Sequence, residues 1–187
     1  MHKRHYRTLR WLAALACALC LLCPPFSAQQ PKAAPAIPDP PLVDLAGYQK
    51  LLAEQRGKPI WVNFWATWCE PCRDEFPMVN ELAKKYAAQG LVVIGVSLDD
   101  EGEMTLVRRF LARNQPIFQN YRKLPGRNEA FINGVHPKWS GAIPASFFYA
   151  RDGRLLKYLV GEHTREGFEA IVRELLEASR SSVGPQR

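Results

Sequence analysis

The chain has 187 residues, 47% of them apolar and 23% charged, and a formal net charge of +7. That supports one domain of ordinary size with its own core, plus a leader. Lys3, Arg4, Arg7 and Arg10 carry four of the seven net charges and leave +3 for the rest, too little for a basic face that would indicate nucleic acid.

The first 28 residues divide into a basic start up to Arg10, an apolar run from Trp11 to Cys23, and Pro24-Pro25-Phe26-Ser27-Ala28. Thirteen apolar residues at about 1.5 Å each reach about 20 Å, short of the roughly 30 Å hydrocarbon core of a bilayer. Residues 1–28 are therefore expected to be a secretory signal, cut after Ala28, with an N-terminal anchor as the alternative. Cys17, Cys20 and Cys23 fall inside this leader and are read as small apolar members of a signal core. Lipid attachment at Cys17 is the lesser reading, since Leu15-Ala16-Cys17 matches a lipobox only in part. Residues 29–43, with Pro31, Pro35, Pro38, Pro40 and Pro41, are expected to be an extended tether.

A folded domain is expected over residues 44–180, with a flexible tail at 181–187. Its first helix runs from Leu45 to Gln55, with Asp44 as N-cap and Gly57 ending it. A buried strand covers Pro59 to Phe64. Phe76, Val79, Leu82, Ala83 and Tyr86 recur at helical spacing from Glu70 to Ala88, and the β-branched run Leu91 to Leu98 reads as a central parallel strand. Strand, helix and strand make a right-handed βαβ unit. A helix over Gly102 to Asn114 follows. Residues 115–143 carry little periodicity and are expected to be irregular, with a short helix near Glu129 to Asn133. Strands at Ser146–Tyr149 and Leu155–Val160 form a hairpin through Arg151-Asp152-Gly153. A helix from Arg165 to Ala178 ends the domain, and fraying is expected from Ser179.

Outside the leader the only cysteines are Cys69 and Cys72, in Trp68-Cys69-Glu70-Pro71-Cys72. The motif follows a strand, and Pro71 is suited to opening a helix, so Cys69 falls where a helix dipole favours a thiolate. A Cys-x-x-Cys could also be half a zinc site or a structural bridge. Structural zinc needs about four ligands, and His136 and His163 are far away in sequence. A bridge over so short a loop removes little unfolded-state entropy. Redox chemistry is the better reading, with Cys69 as nucleophile, exposed at the helix start, and Cys72 as the more buried resolving thiol. The dipole contributes roughly 0.3–1 kcal/mol to an exposed anion, about one pKa unit or less, so neighbours must supply further tuning. Glu70, a negative charge beside the dithiol, should oppose the thiolate and pull the potential towards thioredoxin's roughly −270 mV and away from DsbA's −120 mV.

The run Asn63-Phe64-Trp65-Ala66-Thr67-Trp68-Cys69-Glu70-Pro71-Cys72, continuing as Arg73-Asp74-Glu75-Phe76-Pro77 and returning at Gly141-Ala142-Ile143-Pro144-Ala145, resembles the TlpA/ResA-like branch of the thioredoxin superfamily. The resemblance covers roughly residues 45–178, and the order of elements fits its α/β sandwich, a central mixed sheet flanked by helices. It implies an exported, periplasmic or extracytoplasmic thiol-disulfide oxidoreductase that reduces disulfides in exported proteins, apocytochrome c among them, and is resupplied by a membrane dithiol donor. It needs no cofactor beyond the Cys69–Cys72 pair, and a monomer is expected. Where ordinary thioredoxins place a buried Asp, this chain has Asn63, and the resemblance offers Glu75 as the proton acceptor for Cys72. Pro144 matches the superfamily's cis-proline, Ile143 would offer its backbone to substrate, and Trp68 would lie as a lid beside the dithiol, with Glu70 and Pro71 completing the contact surface. His136 stands where Asp is expected.

Two rivals remain. A copper metallochaperone would use Cys69, Cys72 and a His, although copper carriers of this fold usually separate their cysteines by three residues. A peroxidase would want Thr three residues before its reactive Cys, where this chain has Ala66.

Overall fold

The computed structural model describes residues 38–126 and 128–181. The expected leader, most of the tether and residues 182–187 lie outside the described residues. Six strands form one sheet in the order β1-β4-β3-β2-β5-β6. They are β1 Leu42–Val43, β2 Ile60–Trp65, β3 Val92–Ser97, β4 Gln119–Lys123, β5 Ala145–Tyr149 and β6 Leu155–Val160. The first four lie parallel, and β5 and β6 run antiparallel to their neighbours.

Five helices flank the sheet among the described residues: α1 Leu45–Glu54, α2 Glu70–Tyr86, α3 Met104–Asn114, α4 Asn128–Val135 and α5 Arg165–Ser181. Alternation along each strand sorts the core into two layers. Trp61, Trp65, Val93 and Phe148 pack with α2, α3 and α5 through Phe76, Val79, Val107, Leu111, Phe168 and Val172. Val62, Phe64, Ile94, Val96 and Phe147 pack on the other face against Tyr48 of α1 and Phe131 of α4. Residues of β2 with odd numbers therefore look towards α2, and this directs Asn63 to that side. Among the described residues no helix is long and apolar enough to cross a membrane.

Three expectations change. Residues 115–143 are not irregular throughout: β4 lies between β3 and β1, and α4 is longer than the expected turn of helix. The sequence Gln-Asn-Tyr-Arg-Lys hides a strand because its polar side chains find partners in place. Asn120 accepts from Trp65 Nε1 at 3.1 Å, and Arg122 donates to Glu101. Strand formation here follows from pairing and not from propensity. The stretch read as tether also contributes β1, whose Leu42 and Val43 pair with Arg122 and Lys123. Gly95 on β3 makes room for the Asn120 side chain on β4, since a Cβ there would come within 2.0 Å of Asn120 Oδ1. At the far end α5 continues to Ser181, past the expected end at Ala178.

Candidate active site

The active turn forms where β2 leaves the sheet. Cys69 is the N-cap of α2 in extended conformation, and its Sγ accepts a hydrogen bond from Cys72 N at 3.3 Å. Glu70 and Pro71 supply the first turn, where Pro71 loses no helix bond. Cys69 and Cys72 form a disulfide with an S–S distance of 2.07 Å. Cys69 is 6% and Cys72 2% exposed. Their order is as expected, but Cys69 is less open than its place at a helix start suggested, since it belongs to the same buried core layer as Trp65 and Ala66.

A buried clamp holds the turn from one side. Asp99, at the end of β3, accepts from the Thr67 backbone N at 3.0 and 3.1 Å, from Thr67 Oγ1 and from Ser97 Oγ. Arg73 adds a bond from Nη1 to the Thr67 carbonyl at 2.7 Å. With Thr67 fixed and Cys69 N bonded to Ala66 O, Trp68 is carried outward and stands 56% exposed. Sequence reasoning missed Asp99 and Thr67. The doubled acid Asp99-Asp100 at a strand end was the only signal, and nothing there marks which of the two turns inward. Asp100 caps the 3-10 turn Glu101–Glu103 instead.

Glu75 occupies the other side, one turn beyond Cys72 on the same helix face, and is 4% exposed. Its Oε1 accepts from Asn63 Nδ2 at 3.4 Å, while Oε2 makes no well-formed hydrogen bond. Burial pushes this carboxyl up from 4.5 to about 7, the His163 backbone and Asn63 pull it partly back, and the charge of Glu162 adds to the rise. Asn63 Nδ2 also reaches Ser146 Oγ at 3.4 Å, and Trp61 Nε1 donates to that same oxygen at 2.8 Å. Ser146, another residue the sequence did not mark, lies directly across from Asn63 on β5.

The Ile143–Pro144 bond is cis, the isomer the resemblance implies. Pro144 is buried, and Ile143 packs partly against the core layer that contains both cysteines. Trp139 anchors this loop, with Nε1 donating to the Ala142 carbonyl at 2.9 Å and its ring packed 4.6 Å from Phe64. Trp61 is stacked between Phe148 and Phe168, and Trp65 packs against Phe76 and Phe110, so both are core residues. Glu70 is exposed and Pro71 half-buried.

The two histidines of the copper reading lie in different core layers. His136 packs tilted against Tyr158, ring centroids 4.5 Å apart, and approaches Phe147, in the core layer on the opposite face of the sheet from the cysteines. His163 packs edge-on to Phe168. Among the described residues no three or more His, Cys, Asp or Glu side chains are grouped as metal ligands.

A dithiol at a helix N-terminus, following the first strand of a βαβ unit and accompanied by a cis-proline before an antiparallel strand, defines a thioredoxin-fold oxidoreductase. Residues 32–157 match the AhpC/TSA family, and the chain belongs to it. It is 33% identical over 133 residues to the thiol-disulfide oxidoreductase ResA of Geobacillus kaustophilus, covering 71% of each chain. To ResA of Geobacillus thermodenitrificans it is 35% identical over 132 residues, covering 69% of this chain and 70% of that one. A thiol:disulfide interchange protein of the thioredoxin family from Chlorobium tepidum superposes with a TM-score of 0.58 at 27% identity, over 76% of this chain and 99% of that one. The chain is a thiol-disulfide oxidoreductase.

Proposed function

We propose that this enzyme is exported and reduces disulfides in other exported proteins, apocytochrome c among them, outside the cytoplasm. The Cys69 thiolate attacks a substrate disulfide, forming a mixed disulfide and expelling the first substrate sulfur as a thiolate that takes up a proton. Cys72 passes its proton to the Glu75 carboxylate, and its thiolate attacks Cys69 Sγ. The second substrate thiolate leaves, and the enzyme is left as the Cys69–Cys72 disulfide. Two electrons have moved from the enzyme dithiol to the substrate. A membrane dithiol donor returns them, and the enzyme acts as a monomer.

Trp68, Glu70, Pro71, Ile143 and Pro144 form the substrate surface around the dithiol. The observation that carries the acid-base assignment is the buried carboxyl of Glu75, raised to about 7 one helical turn beyond the resolving thiol. A group poised near ambient pH can both accept and return a proton. The basic-apolar leader and proline-rich stretch of residues 1–43 support export.

Cys72→Ser stops the reaction at the mixed disulfide and tests both place and substrate. Exported proteins should be captured through Cys69, with apocytochrome c among them, and released by reductant. Capture of cytoplasmic proteins alone, or no adduct that depends on Cys69, would overturn the reading.

A further inference from the structure

The polar residues behind Glu75 form a directed chain. Trp61 Nε1 donates to Ser146 Oγ at 2.8 Å, and Asn63 Nδ2 lies 3.4 Å from both Ser146 Oγ and Glu75 Oε1. All four residues are buried, with no water needed to link them. An indole N–H can only donate, so Trp61 occupies one lone pair of Ser146 Oγ and anchors that oxygen in place, with the second lone pair facing the Asn63 amide nitrogen. Asn63 carries one donor edge and one acceptor edge, and only the donor edge serves an ionised carboxylate. Neither 3.4 Å contact holds the amide by itself, and its two N–H hydrogens use both acceptors together. The hydroxyl of Ser146, directly opposite on the antiparallel strand, supplies the second acceptor to the edge whose other hydrogen meets Glu75.

We propose that Ser146 is a positioning residue for the proton acceptor of the dithiol reaction: anchored by Trp61, its hydroxyl holds the Asn63 amide so that the N–H edge meets Glu75. The inference rests on the role given to Glu75 above. It also ties that carboxyl to β5 two residues after Pro144, so the strand that begins at the substrate surface sets the partner of the base. A bond donated to the charged form favours ionisation, so Ser146 keeps the Glu75 carboxyl from rising further under burial. The other groups facing Glu75 are Glu162 and His163 on the turn after β6, with Cys72 one turn earlier on its own helix. Changes at Ser146 leave all of these in place.

The test uses the full-length oxidised protein, whose cysteines do not titrate, and follows the Glu75 carboxyl by carbon-13 NMR across pH. Ser146→Ala should raise its midpoint by about half a unit to one unit, the scale of one modest hydrogen bond to a charged form. Asn63→Ala should raise it at least as far, and the double variant no further than Asn63→Ala alone. If Ser146→Ala does not fold, Ser146→Cys, a near-isostere with a weaker hydrogen-bonding group, should raise the midpoint in the same direction, and in the wild type the Asn63 side-chain N–H signals should shift with the same midpoint as the carboxyl. An unchanged or lowered midpoint in Ser146→Ala, additive shifts in the double variant, or Asn63 signals blind to the titration would overturn the proposal. A packing role alone would change stability and leave the midpoint where it is. The readout is independent of turnover: a Glu75→Gln enzyme with normal kinetics would remove Glu75 from the reaction and leave these shifts untouched.

Discussion

Asp99 and Glu75 are both buried carboxyls flanking the Cys69–Cys72 turn, but their surroundings differ in kind. Asp99 receives bonds from the Thr67 amide, the Thr67 hydroxyl and the Ser97 hydroxyl. Glu75 receives one long side-chain bond, from Asn63, feels the His163 backbone nearby, and keeps an oxygen without a well-formed bond. A fully satisfied carboxylate is a fixed strut, and an under-satisfied one is free to change its protonation. The side of the turn that presents Trp68 is built for rigidity, and the side that faces the resolving thiol is built for chemistry.

The largest effect should come from breaking the strut. Asp99→Ala leaves Thr67 N, Thr67 Oγ1 and Ser97 Oγ without their acceptor, and at roughly 1–3 kcal/mol per orphaned group it should cost at least about 3 kcal/mol in urea unfolding. A loss under about 1 kcal/mol would make Asp99 no strut. Glu75 should behave in the opposite way. Its folded-state pKa lies above its unfolded value, so its contribution to stability is complete below pH 4.5 and is lost as pH rises through about 7. At about 1.4 kcal/mol per unit the loss approaches 3 kcal/mol, and Glu75→Gln should abolish that dependence and be the more stable protein at about pH 8. Parallel pH-stability curves for the two proteins would contradict it.

Smaller effects sharpen the contrast at the surface. Glu70 is exposed in the first turn, so Glu70→Gln should raise the reduction potential by up to about 20 mV, matching roughly 0.3–1 kcal/mol for a charge at a helix start. A potential that falls, or a wild-type value near that of DsbA, would remove Glu70 from the tuning. Trp68→Ala should change stability by less than about 0.5 kcal/mol, since the ring is held out in solvent, while raising KM for a protein substrate. An unchanged KM would take Trp68 out of the substrate surface.

The sequence shows these two sides unequally. The Cys-x-x-Cys, the apolar run before it and the helical spacing after it mark the chemical side, and the resemblance singles out Glu75 three residues past Cys72. Neither Ser146 nor Asp99 carries such a mark. Ser146 is one polar residue in an apolar strand, and its role appears only when antiparallel register sets it opposite Asn63. Asp99 needs β3 to end beside the loop after β2, a long-range fact with no local signature. The same reason hid β4, whose polar residues become strand by pairing with β3 and β1. Helices α1, α2 and α5 were legible because their burial stripe and caps are local.

The central claim, that Glu75 accepts the proton of Cys72, is tested most directly by the rate at which Cys72 resolves a preformed mixed disulfide on Cys69, measured across pH in the wild type and in Glu75→Gln. The wild-type rate should rise through a midpoint near 7, and Glu75→Gln should lose that inflection and fall by about tenfold or more. Superimposable profiles would contradict the account.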